Sequence, residues 1–300
     1  MLFFKQILSS FFCIFLFIAS AFSYAKPVLK PLPANIAETG STIYDFTTQE
    51  FQSKDLKRSY QVWLGISKKH ANQVLPAIFM LDGNSAMSYL NEDILTKLDQ
   101  QQAPVLIAIG YKTDLPFDSS SRSIDYTPAE NLNDILMPDP RNPSRLSGGS
   151  ADFQKLIIEE IAPWVETHVK LDPNKRMIWG HSYGGLFVLD SLLMTDYFSH
   201  YFAASPSLSW ANHRIIKKIN STIVKNKNQK KLYLMEGDTA FLEMTTQSSN
   251  YDADIIHYNR EILAKFDQQG INAKFILYPN LKHGDVFKAS LLDVFENKLY

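Results

Sequence analysis

Cysteine is nearly absent from this chain: one in 300 residues, Cys13. Downstream of it the chain can form no disulfide, offer no thiolate to a metal and use no cysteine nucleophile. A charge excess of either sign is also missing. Thirty Lys and Arg face 31 Asp and Glu, for a net charge of −1. No strong field therefore points to nucleic acid or to a membrane surface as a partner. There is no HExxH pair, no Asp-rich metal loop, no Walker motif and no dinucleotide fingerprint, since GHSYGG (180–185) lacks the GxGxxG spacing. No metal and no cofactor are expected. Beyond the first 25 residues there is no second long apolar run, internal repeat or low-complexity tract.

What is present begins at the N-terminus. Lys5 is followed by an apolar stretch from Ile7 to Phe22 and then by Ser23-Tyr24-Ala25. A positive residue, a short apolar segment and small residues at its end predict a cleavable secretory signal over 1–25. That expectation places the mature protein in the periplasm or outside the cell, with no stable membrane association once the signal is removed. Loss of Lys5 would take the net charge from −1 to −2. The remaining 26–300, roughly 275 residues, can bury a full core as one domain.

Apolar runs and amphipathic runs then alternate. Thr42–Thr47 and RSYQVWLGI (58–66) predict early strands, the second by its period-two alternation. PAIFML (76–81) and PVLIAI (104–109) are short continuous apolar runs, as buried strands require. A helix is expected over 85–99, a long structureless insertion over about 111–149, and a helix over 150–169 that Pro163 bends late. Further strands are expected at 176–179, 201–204, 231–235 and 272–278, with helices at 183–194, 211–225, 254–269 and 285–297. Strands alternating with helices predict a mostly parallel, doubly wound α/β sheet flanked by helices.

One segment carries chemistry. In MIWGHSYGGL (177–186), Gly180-His181-Ser182-Tyr183-Gly184 has the pattern G-x-S-x-G, preceded by a predicted strand and followed by an almost wholly apolar helix. That is the context of a nucleophile elbow, in which a strained strand-to-helix turn exposes a serine. Gly180 and Gly184 are expected to make room for the turn, and Gly185 to let the helix approach the sheet. Serine is a weak nucleophile and needs a base for its proton and donors for the oxyanion. The base is expected late in the chain. His283, in the loop PNLKHG (279–284) after the last strand, is the candidate. His70, His168, His181, His200, His213 and His257 read as surface or capping histidines. The acid is open at this stage: Asp238 and Glu236 follow the strand KLYLM, Glu243 lies further on, and a Ser–His dyad with no acid serves equally. The oxyanion donors are expected to be the backbone N–H groups of Tyr183 and, from the turn Asp82-Gly83-Asn84, of Asn84. Trp210 suits either an aromatic platform for a ring or the core.

GHSYGGLFVLDSLL, YFAASPSLSW and YPNLKHGDVFKASL, together with VLIAIGYKTDLPFDSSSRSIDYTPA, resemble the esterase-D-type branch of the α/β-hydrolases. Within it they are most similar to the IroE-type periplasmic esterases of trilactone catecholate siderophores. The resemblance runs from about Arg58 to the end. It implies an α/β-hydrolase fold and hydrolysis of serine-type esters in a catecholoyl-serine lactone such as enterobactin or salmochelin, by a Ser–His dyad without a regular acid. It also implies that Arg122 is an active-site arginine that meets an anionic substrate. A general carboxylesterase acting on feruloyl or short-acyl esters would use the same machinery. A non-catalytic catecholate-binding protein would not need Ser182 and His283 together.

Overall fold

The protein is described from a computed structural model over residues 29–130, 135–239 and 255–296. The expected signal at 1–25 and the candidate acid Glu243 lie outside the described residues.

The strands are β1 (Tyr44–Gln52), β2 (Ser59–Ser67), β3 (Val74–Met80), β4 (Val105–Tyr111), β5 (Met137–Asp139), β6 (Asn142–Ser147), β7 (Lys170–His181), β8 (His200–Ala204), β9 (Lys231–Gly237) and β10 (Asn272–Tyr278). Eight form one sheet in the order β1-β2-β4-β3-β7-β8-β9-β10. β1 and β4 run antiparallel to β2, and every other neighbouring pair is parallel. The helices are α1 (Ile36–Thr39), α2 (Gly83–Met87), α3 (Glu92–Gln100), α4 (Ser119–Asp125), α5 (Ser150–Leu156), α6 (Ala162–Glu166), α7 (Tyr183–Met194), α8 (Trp210–Ser221), α9 (Ile255–Gln268) and α10 (Asp285–Phe295).

Strand alternation divides the core in two. In β3, Ala77 and Phe79 face the side covered by α5, α7, α8 and α9, while Ile78 and Met80 face the side covered by α2, α3 and α10. β4 repeats the pattern with Ile107 and Ile109 against Leu106 and Ala108. Both faces being buried is why these strands read as continuous apolar runs. From β3 the chain turns to β4 on one side and later returns to β7 on the other. In open α/β sheets the crevice beyond the carboxyl ends of strands at such a reversal is where ligands bind. Asp82 follows β3 and Ser182 follows β7 at that point.

The mostly parallel sheet was legible; three details were not. The expected 111–149 insertion contains α4, whose N-cap Asp118 accepts from the N–H groups of Ser120 and Ser121, and the hairpin β5–β6. A seven-residue helix and a three-residue strand are too short to show a period. The helix expected over 85–99 is interrupted between α2 and α3, with Asn91 Oδ1 capping α3 through the Ile94 N–H. The helix over 150–169 holds one π turn at Ile157–Ile161, just before Pro163. Pro163 has no N–H to donate, and the wider turn absorbs the mismatch.

Candidate active site

Ser182 sits between β7 and α7 with φ 60° and ψ −114°, in the positive-φ region that side chains avoid. The surrounding backbone holds it there: its N–H donates to Ala204 O at 2.9 Å, and its carbonyl accepts from Leu186 and Ser207. A Cβ at Gly180 would lie 2.5 Å from Gly184 O, and one at Gly185 would lie 2.7 Å from Ala204 O. The elbow therefore needs glycine at 180 and 185. Position 184 has ordinary contact distance around it, the nearest atom being 3.6 Å away, so the expectation that Gly184 makes room does not hold sterically.

β10 ends at Tyr278, and the loop that follows carries His283 over the elbow, with Nε2 3.1 Å from Ser182 Oγ. Ser207 Oγ lies 3.3 Å from the same hydroxyl. Ser207 was not foreseen, although a residue just past the carboxyl end of β8 must sit beside the end of its parallel neighbour β7. His283 keeps solvent-exposed surface beside its contact with Ser182. Loss of hydration, followed by the charges of Arg141 and Arg122, pushes its pKa down to about 4. The imidazole is thus a free base at neutral pH, as proton abstraction requires. The acid limb of kcat/KM is expected near pH 4 rather than near the ordinary 6.5, with activity lost as pH falls through it. Arg141→Gln should move that limb upward, more at low salt than at high, because an exposed charge is screened. A limb that stays put in a pH–rate titration at fixed ionic strength would contradict this.

The carboxylates nearest in sequence are otherwise engaged. Asp238 Oδ1 accepts from the Asn280 N–H at 2.5 Å, and the Asp238 N–H reaches Tyr278 O at 3.4 Å. Asp238 thereby closes the turn that leads to His283, and it makes no hydrogen bond to the imidazole. Glu236 is buried and accepts from Ser205 Oγ at 2.6 Å. Among the described residues no carboxylate bonds to His283.

Tyr183 is the first residue of α7 and its N–H has no partner among the described residues. The Asn84 amide lies in the first turn of α2 and is likewise without a partner among them. The Asn84 side chain is committed to β4: Nδ2 donates to the carbonyls of Tyr111 and Thr113, and Oδ1 accepts from the Tyr111 N–H at 2.8 Å. A Cβ at Gly110 would come within 2.8 Å of Asn84 N, so glycine there lets α2 pack down on the strand.

Arg122 and Trp210 both have partners within the protein. Arg122 is tied to Asp82 by two hydrogen bonds, Nε to Oδ1 at 2.5 Å and Nη2 to Oδ2 at 2.9 Å, and lies over the rings of Phe117 and Tyr126. Asp82 is fully buried and left-handed (φ 52°) at the start of α2, so this guanidinium is committed to a buried carboxylate. Trp210 is 1% exposed, donates from Nε1 to Asp139 Oδ1 at 3.1 Å and is covered by Arg214. It belongs to the core and offers no platform for a ring. Arg141, in the turn of the β5–β6 hairpin, is an exposed cation. Its guanidinium donates to Ser207 Oγ at 3.2 Å and Ser209 Oγ at 2.8 Å, and stands over the Tyr183 ring. It has no carboxylate partner among the described residues. Asp139 fixes the hairpin by accepting from Ser123, Tyr183 and Trp210. No sequence signal marked Arg141, because the hairpin that delivers it is too short to recognise.

A family model described as putative esterase matches residues 53–295. Over 285 residues the chain is 40% identical to the apo-salmochelin esterase of Escherichia coli O6:H1, spanning 92% of this chain and 87% of that protein. It is 32% identical over 254 residues to the ferri-bacillibactin esterase BesA of Bacillus subtilis, spanning 81% and 85%. Among solved structures, the enterobactin and salmochelin hydrolase IroE superposes with a TM-score of 0.73 at 37% identity, over 87% of this chain and 98% of the other. With a serine on a strained elbow, a histidine at bonding distance and this breadth of similarity, the chain belongs to the esterase family, on an α/β-hydrolase fold.

Proposed function

We propose that the protein is a carboxylic ester hydrolase that opens the serine ester bonds of a trilactone catecholate siderophore of the enterobactin and salmochelin kind, working in the periplasm during iron acquisition. The observation that carries the chemistry is His283 Nε2 at 3.1 Å from Ser182 Oγ on the positive-φ elbow. The siderophore esterases similar to this chain over most of its length support the substrate class.

In this account His283 Nε2 takes the Ser182 proton as Oγ attacks the ester carbonyl. The resulting oxyanion accepts from the Tyr183 N–H and the Asn84 N–H. Collapse breaks the bond to the lactone oxygen, and the imidazolium returns the proton to that leaving alcohol. Water, deprotonated by the same imidazole, then cleaves the acyl-enzyme and frees Ser182. Arg141 supplies positive charge at the mouth for a catecholate oxygen, in a planar fork suited to paired oxygens. Arg122 acts beneath, through Asp82.

The substrate class is tested by incubating the protein with apo and ferric enterobactin and with butyrate and ferulate esters, following products by mass. Linear trimer, dimer and monomer of the catecholoyl-serine unit are expected from the trilactone, with kcat/KM at least about tenfold above the simple esters, a margin of roughly 1.4 kcal/mol in transition-state binding. Cleavage of the simple esters alone would leave a general esterase and remove the siderophore.

A further inference from the structure

The residue before the nucleophile holds a position for which ester hydrolysis gives no obvious reason. His181 ends β7, and strand alternation turns its side chain away from Ser182, to the face that carries Trp179. On that face α10 packs against the strand. Trp179 Nε1 donates to Ser290 Oγ at 3.1 Å, and Phe287 meets the rings of both Trp179 (4.9 Å) and His181 (5.5 Å). His181 is buried at the end of this row. Its Nε2 lies 2.7 Å from the carbonyl oxygen of His283, and the two imidazoles stand 4.8 Å apart. A carbonyl only accepts, so the proton of His181 must be on Nε2. Burial holds the pKa of His181 well below its ordinary value, so the ring stays neutral and keeps that single tautomer.

A histidine base is ordinarily oriented by an acceptor on its other ring nitrogen. Among the described residues no carboxylate bonds to His283, and Asp238 is spent on Asn280 N–H. The loop from Tyr278 to Asp285 is instead held through its backbone, at one end by Asp238 and at His283 itself by His181. We propose that His181 is a positioning residue for the base: by donating Nε2–H to the His283 carbonyl and bracing its ring, it sets His283 Nε2 against Ser182 Oγ. The end of one strand thereby places both partners, the nucleophile directly and the base through its neighbour. This rests on the proposal that Ser182 and His283 perform the hydrolysis.

The test compares His181→Phe, which keeps the ring but loses the donor, with His181→Gln, whose side-chain amide can still reach the carbonyl. Activity on a nitrophenyl ester is counted per site titrated to completion with a fluorophosphonate, so unfolded protein does not enter. His181→Phe is expected to lose about 10- to 100-fold in kcat with KM within about twofold, since a displaced base costs rate without costing binding. His181→Gln should recover to within about threefold of the parent, by the same argument. A Phe variant with undiminished kcat per titrated site, or a Gln variant as slow as Phe, overturns the proposal. If the Phe variant does not fold, NMR of the ¹⁵N-labelled parent protein decides: an exchange-protected Nε2–H on His181 is expected, and an Nδ1–H tautomer overturns it. Ser182→Ala is run alongside. Hydrolysis surviving in that variant would sink the proposed reaction itself, an outcome distinct from either result at His181.

Discussion

Ser182→Ala is expected to lower kcat on any ester substrate by roughly 10⁴- to 10⁶-fold, leaving only what the oxyanion donors and binding supply. His283→Ala should cost nearly as much, and the double variant no more than the worse single one, because the two act as a unit. The reason is local. Among the described residues the Ser182 hydroxyl has His283 Nε2 at 3.1 Å and Ser207 Oγ at 3.3 Å as partners, and of these only an imidazole held as a free base can take its proton. The fold should be little disturbed, since the backbone bonds of Ser182 to Ala204, Leu186 and Ser207 do not involve the hydroxyl. Steady-state rates with a nitrophenyl ester, alongside circular dichroism, check both halves. Losses that add in the double variant would show that Ser182 and His283 do not share one step.

Arg122→Ala is expected to remove about 3–5 kcal/mol of stability, the usual cost of leaving a buried charge without its partner. Asp82 has no exposed side-chain surface and accepts both guanidinium bonds. Its own N–H is bonded to the Tyr126 hydroxyl at 3.1 Å, so the carboxylate cannot swing out to water without disturbing the start of α2. Lysine should recover only part of the loss, because a point charge cannot reproduce a two-pronged bond. Urea denaturation reads the effect as a lower midpoint. Should Arg122→Ala keep its midpoint and raise KM instead, Arg122 would be a direct substrate contact, as the family resemblance implied.

The elbow was legible because strand, turn and helix each leave a local mark: an apolar run, paired glycines, and an apolar helix with no polar face. The two-sided burial of β3 and β4 likewise shows as runs without alternation. His283 was singled out because it follows the last predicted strand, and its Nε2 lies 3.1 Å from Ser182 Oγ. Side-chain partners were harder, since they depend on which carboxyl ends meet. Asp238 stands at the right strand end for an acid, yet its carboxylate closes the turn at Asn280 instead. Trp210 gave no periodic clue to its burial, and its indole N–H is satisfied by Asp139, on a hairpin that the sequence did not reveal. Arg141 was hidden for the same reason. His181 was read as a surface or capping histidine because adjacent positions in an elbow point apart. What it touches is the backbone of a residue 102 positions away, a contact no local pattern encodes.

The most direct measurement titrates apo-enterobactin hydrolysis against covalent labelling by a fluorophosphonate, with the adduct mapped by peptide mass. The account expects one phosphonyl group per chain, on the peptide that contains Ser182, and hydrolysis lost in proportion to labelling. Trilactone hydrolysis persisting in fully labelled protein, or the label residing on another residue, would contradict it.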